Sequence, residues 1–119
     1  MGFMQAATAH YQQKSQAPLK SFEVPEYGLT IYYRPAGLTV GQRGILTDLS
    51  TDENGNTDSG AIMFETLRMR MLDEQGQPLL KKADKPVFLH EVAADVAANI
   101  LIQIRQGSGD LSEDDAAKN

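Results

Sequence analysis

The chain has no cysteine and no tryptophan. Without thiols there can be no disulfide, no thiolate metal site and no cysteine nucleophile, a composition that suits a reducing compartment. Long apolar runs are missing as well. No stretch approaches the roughly 20 residues of a membrane span, and the first residues lack the basic segment and apolar core of a signal peptide. The expectation is a protein that stays soluble where it is made. Positive charge is scarce: 11 Lys and Arg stand against 16 Asp and Glu, a formal net charge of −5. Asp110, Glu113, Asp114 and Asp115 outweigh Lys118 to leave −3 in the last residues, and Lys14 alone gives residues 1–18 a charge of +1, so residues 19–106 carry −3. Such a body matches phosphate backbones and anionic lipid poorly, which argues against nucleic acid or a membrane as partner.

What is present reads as one domain at 119 residues, with tails at both ends. Residues 1–18 show no sustained period, and residues 107–119 (GSGDLSEDDAAKN) are Gly, Ser and acids that bury too little apolar surface to offset chain entropy. The body, residues 19–106, is near the small end for an independent core, so oligomerisation is an expected source of stability. Ser21–Val24 and Leu29–Tyr33 alternate around Pro25-Glu26-Tyr27-Gly28, which predicts a β-hairpin over about 21–34. Phe22, Val24, Leu29, Ile31 and Tyr33 then share one face, with Thr30, Tyr32 and Arg34 on the other. A lone hairpin is marginal in water and needs a helix or another chain as cover.

Three helices follow in the prediction, making an α+β, mainly helical fold. Thr39-Val40-Gly41-Gln42 fits a capping box opening a helix over about 40–49. Ser50–Gly60 is loop by composition. A second helix, about 60–72, starts behind Asp58 as N-cap and stops at Asp73-Glu74-Gln75-Gly76-Gln77-Pro78. Met63, Phe64, Leu67 and Met71 share one side of it. Ile62, Met69 and Leu72 form a second apolar side, with Glu65, Thr66, Arg68 and Arg70 in the gaps. A helix apolar on two sides must be covered twice, by its own domain or by a partner molecule; periodicity does not say which. The third helix, about 87–106 with a kink near Ala93-Ala94, carries Val92, Val96, Ile100 and Ile104 on a broad apolar face. Ile102 is stranded on its polar side.

No motif in the chain carries catalytic chemistry. His90-Glu91 lacks the second His four residues on that a zinc site needs, since Ala94 occupies that place. Asp52, Asn54, Asn56 and Asp58 alternate like calcium ligands, but Thr57 and Met63 stand where an EF-hand has its Gly and Glu. Gly41-Gln42-Arg43-Gly44 matches the bare GxxG of KH domains, and the capping box already explains those residues. No cofactor is implied.

The order of these segments has a counterpart in a known family. FEVPEYGLTIYYRP, a capped polar helix, a Leu/Met helix running into LDEQGQPLLKKAD, and VFLHEVAADVAANILIQI together resemble the tail assembly chaperones of long-tailed, lambda-like siphoviruses of bacteria. The likeness covers about Leu19–Ile104 and is most specific over Val24–Arg34 and Leu72–Leu79. It implies a non-enzymatic chaperone of the host bacterial cytoplasm, absent from the mature virion. Such a protein keeps the long tape measure protein soluble, promotes assembly of tail tube protein around it, and self-associates into a ring or spiral. The alternative is a small phage structural adaptor, such as a head–tail connector component. On the residues alone, Ile62, Met69 and Leu72, with Tyr32 and Ile102, are the candidate protein-interaction side chains.

Overall fold

The computed structural model describes residues 2–109. Its hairpin pairs β1 (Lys20–Val24) antiparallel with β2 (Leu29–Tyr33), setting Phe22 opposite Ile31 and Val24 opposite Leu29. That register gives the predicted shared face, because side chains alternate along a strand. Val24, Ile31 and Tyr33 are buried beneath it, and the rings of Phe22 and Tyr33 sit 5.8 Å apart. Leu29, at the turn end of the same face, is 44% exposed.

Four helices follow the hairpin: α2 (Val40–Ser50), α3 (Ser59–Arg70), α4 (Lys85–Glu91) and α5 (Ala94–Gly107). Helices α2, α4 and α5 each pack on α3, and α5 also meets β1. The capping box of α2 is present: the Gln42 N–H donates to Thr39 Oγ1 at 3.1 Å, and the Thr39 N–H donates to Gln42 Oε1 at 2.9 Å. Asp58 caps α3 by accepting from the Gly60 N–H at 3.1 Å. Helix α3 ends at Arg70, two residues before the expected Leu72. Backbone pairing explains the difference: Leu72 donates to the Tyr32 carbonyl at 2.8 Å and accepts from the Tyr32 N–H at 3.0 Å. The outer edge of β2 gains a bridge, and α3 gives up its last turn to supply it.

One turn geometry occurs twice, after α2 and after α3. Asp52 Oδ1 accepts from the N–H groups of Asn54 and Asn56, and Asp73 Oδ1 from those of Gln75 and Gln77, all four at 2.9 Å. Gly55 and Gly76 hold matching positive φ of 81° and 82°, which a side chain would strain. Asp-Glu-(Asn/Gln)-Gly-(Asn/Gln) is the shared sequence. Each turn closes on an isolated bridge, Thr51 with Thr57 and Leu72 with Pro78.

The single helix expected over about 87–106 is two helices, broken at Val92-Ala93, where the backbone is extended. The break lets the two apolar sets point differently. Phe88 of α4 meets Phe64 edge-on, with centroids 5.2 Å apart. Ile100 and Ile104 of α5 join Tyr33 and Leu67 in the same core. Phe64, Leu67 and Ile104 are its fully enclosed large side chains.

Residues 1–18, expected to be a tail, contain a helix, α1 (Phe3–Gln16). Its Ala, Gln and Met favour helix individually, and Gln5 Oε1 accepts from the Gly2 N–H at 3.2 Å at its start. Its apolar residues Phe3, Met4, Ala7 and Tyr11 are too sparse among Gln, His and Lys to stand out as a sustained period, and none of its residues is buried. Of the expected acidic tail, residues 107–109 close α5, and 110–119 lie outside the described residues.

Candidate apolar docking surfaces

Helix α3 is enclosed almost all round. Beyond Phe64 and Leu67, the polar Glu65, Thr66 and Arg70 are buried too, each with a partner that offsets lost hydration. Glu65 accepts from Arg68 at 2.9 Å, the Thr66 hydroxyl donates to the Ile62 carbonyl at 2.7 Å, and Arg70 donates to Ser108 Oγ at 2.6 Å and to the Arg34 carbonyl at 3.3 Å. Tyr33 belongs to the same neighbourhood: burial raises its phenol above the ordinary 10.0, and the Arg70 charge acts in the opposite direction. Lys20 closes this end by donating from Nζ to the Gly107 carbonyl at 2.6 Å, a cation on the C-terminus of α5. These groups hold elements together.

The five interaction candidates from the sequence separate here. Leu72 is buried at 7% exposure and its backbone is committed to Tyr32, so it is no part of an outer face. Tyr32 is half-buried, with its strand edge taken by Leu72. Met69 is half-buried in a cleft shared with Tyr11 of α1 and the Arg34–Gln42 segment. Ile62 and Ile102 stay on the surface at 37% and 51% exposure. Ile62 is not alone: Ile45 and Leu49, one turn apart on α2, are also exposed. The Asp58 N–H donates to the Ser50 carbonyl at 3.0 Å, so Leu49 and Ile62 both lie within a turn of the α2–α3 junction.

A second apolar surface surrounds the α4–α5 break and went unread in the sequence. A groove of about 230 Å³ is floored by Ile31, Leu67 and Met71 and rimmed by Tyr27, Leu29 and Leu79. A neighbouring cleft of about 280 Å³ holds Met63 and Leu89 and shares Phe88, Val92 and Ala97 with the first. The Ala93 N–H freed by the break donates to Tyr27 Oη at 3.2 Å, pinning the hairpin turn against the helices. Among the residues lining both, Tyr27 and Ser59 alone have polar side chains. The surface can bury apolar groups but offers no carboxylate, imidazole or amine for proton transfer. Leu29 continued the apolar alternation of its strand, so nothing in the pattern separated it from the core.

His90 is exposed at the end of α4. Among the described residues, no group of three or more His, Asp or Glu could hold a metal ion, and no helix is long and apolar enough to cross a membrane. Comparison of the chain with protein-family models, with curated proteins and with solved structures returns no match.

Proposed function

We propose that this protein is a tail assembly chaperone of a long-tailed bacteriophage: a non-enzymatic protein that binds the tape measure protein in the host cytoplasm, keeps it soluble, promotes tail tube assembly and leaves before the virion is complete. The family likeness of Val24–Arg34 and Leu72–Leu79 supplies the identity. The observation that carries the mechanism is the apolar surface left over once the core is complete. Ile45, Leu49 and Ile62 remain exposed although the helix behind them is already enclosed. Aliphatic side chains grouped at one junction mark a surface built to meet another molecule. Helix α2 bears one base and one acid, Arg43 and Asp48, so an apolar client meets little charge to desolvate there.

The client face therefore centres on Ile45, Leu49 and Ile62, while Met69, two turns further along α3, is half-buried in the cleft beside Tyr11. Ile45→Glu combined with Ile62→Glu should leave the circular dichroism unchanged, because both positions are exposed. It should abolish co-purification with co-expressed tape measure protein. Retained binding by the folded double variant removes this face, and recovery of the protein in purified virions favours the structural adaptor over the transient chaperone.

A further inference from the structure

Acids outnumber bases in this chain, yet three segments hold no acid at all. Residues 1–22, 34–47 and 96–109 contain no Asp or Glu, and together they carry Lys14, Lys20, Arg34, Arg43 and Arg105. The fold brings the three together at the end of α5. Two adjoining clefts of about 100 and 250 Å³ lie there, and both are lined by Tyr11 of α1 and by Ala36, Gly37 and Leu38 of the β2–α2 connection. Arg34 and Arg70 line the first, His10 and Lys14 the second, and among the described residues no carboxylate lines either. Asp73, which follows Leu72 at the edge of the first cleft, already accepts from the Gln75 and Gln77 N–H groups on Oδ1. Arg70 is engaged with Ser108 and the Arg34 carbonyl. Lys14 and Arg34 make no ion pair with a described acid. Helix α1 lies along this site with none of its 14 residues buried and Phe3 83% exposed, although an isolated helix of that length is marginal in water.

We propose that residues 110–119 of the same chain fold back into this double cleft and set their carboxylates against Lys14 and Arg34. Continuity selects the occupant. Ser108 and Gly109 are part of the wall of the second cleft, and Lys14 Nζ stands 3.9 Å from where a Cβ on Gly109 would be. The chain is therefore already at the cleft where Asp110 follows. Charge selects the same segment. Asp110, Glu113, Asp114 and Asp115 against Lys118 give these residues −3, and a cleft lined by bases alone focuses its field on such a segment. Length allows it as well: Asp115 comes six residues after Gly109, a reach of roughly 20 Å in extended chain, whereas His10 and Lys14 are about 6 Å apart along α1. Single surface ion pairs are weak, but the tether raises the local concentration of acids so that several act together. Docked there, the segment covers the cleft side of α1 and screens the bases from other anions. This goes beyond the chaperone reading and requires no client.

Because the chain has no cysteine, one introduced pair reports the contact. Full-length protein carrying Ala36→Cys and Ala116→Cys is oxidised at low concentration, since Ala36 lines both clefts and Ala116 follows the acids. The same pair is built with Asp110→Asn, Glu113→Gln, Asp114→Asn and Asp115→Asn. Corrected for the reactivity of each single cysteine, the acidic form should close its intramolecular disulfide about tenfold faster than the neutral form. Salt at about 1 M should remove the difference. Lys14→Gln with Arg34→Gln should slow the acidic form to the neutral rate and leave the neutral form unchanged. Equal rates for the acidic and neutral forms overturn the proposal, as does an acidic form indifferent to Lys14 and Arg34. A disulfide-linked dimer in place of the intramolecular product overturns it too and assigns the acids to a second copy. No tape measure protein is present, so the client face at Ile45 and Ile62 stands or falls separately.

Discussion

Gly107 shows how much one missing methyl can decide. A Cβ there would fall on the Tyr33 hydroxyl and lie 2.6 Å from its ring carbon Cζ, so the last turn of α5 touches β2 only because the residue is glycine. Gly107→Ala should cost about 1–3 kcal/mol in urea unfolding. Adding Tyr33→Phe should recover only part of it, since the ring remains. Tyr33 also makes a pH prediction. Its phenol titrates above the ordinary 10.0 in the folded chain, so the folded state holds that proton more tightly than the unfolded state. That share of stability is intact below about pH 10 and disappears as pH climbs through the raised folded value. Wild type should therefore lose stability relative to Tyr33→Phe as the pH rises above about 10; parallel curves would contradict the assigned burial effect.

At the scale of elements, the two Asp-Glu-x-Gly-x turns are chemically alike and energetically unequal. The Asp73 turn returns the chain beside Leu72, which pairs with Tyr32 at the edge of the hairpin, whereas the Asp52 turn pairs Thr51 with Thr57 and Asp58 with Ser50 and involves no strand of the sheet. Both aspartates accept two backbone N–H bonds. Asp73→Ala should destabilise by about 1–3 kcal/mol, and Asp52→Ala by less than about 1 kcal/mol. Calorimetry on the two variants checks the ordering, and equal losses would mean the Leu72–Tyr32 bridge adds nothing. The Pro25 and Asp73 turns, the caps and the hairpin were legible in the sequence because each depends on residues within a few positions of one another, whereas the Asp52 turn was legible only as loop. The α4–α5 break was legible only as a kink near Ala93. It has no Gly or Pro to mark it, and packing of Phe88 on Phe64 and of Ile104 beneath the hairpin imposes it.

For the whole molecule, the self-association expected of a tail assembly chaperone predicts a stability that depends on concentration. If folded copies associate through their exposed apolar side chains, association removes apolar surface from water only in the folded state. The apparent Tm then rises with protein concentration by mass action. Wild type should show that rise over a hundredfold range of concentration. A constant Tm across that range would count against self-association.

Local chemistry in the chain was enough to set the hairpin and its register, the caps of α2 and α3, the turn at Asp73 and the apolar set that builds the core, because each follows from spacing along one segment. It was not enough to say which apolar residues stay outside. Leu72 and Ile62 share a helical side in the pattern, yet Leu72 is drawn into a bridge with β2 while Ile62 remains at the surface. Phe3 and Leu29 reveal themselves as an uncovered arm and an open groove only once distant segments are packed. Exposure is a property of what lies opposite a side chain, and that neighbour is fixed by three-dimensional packing rather than by sequence spacing.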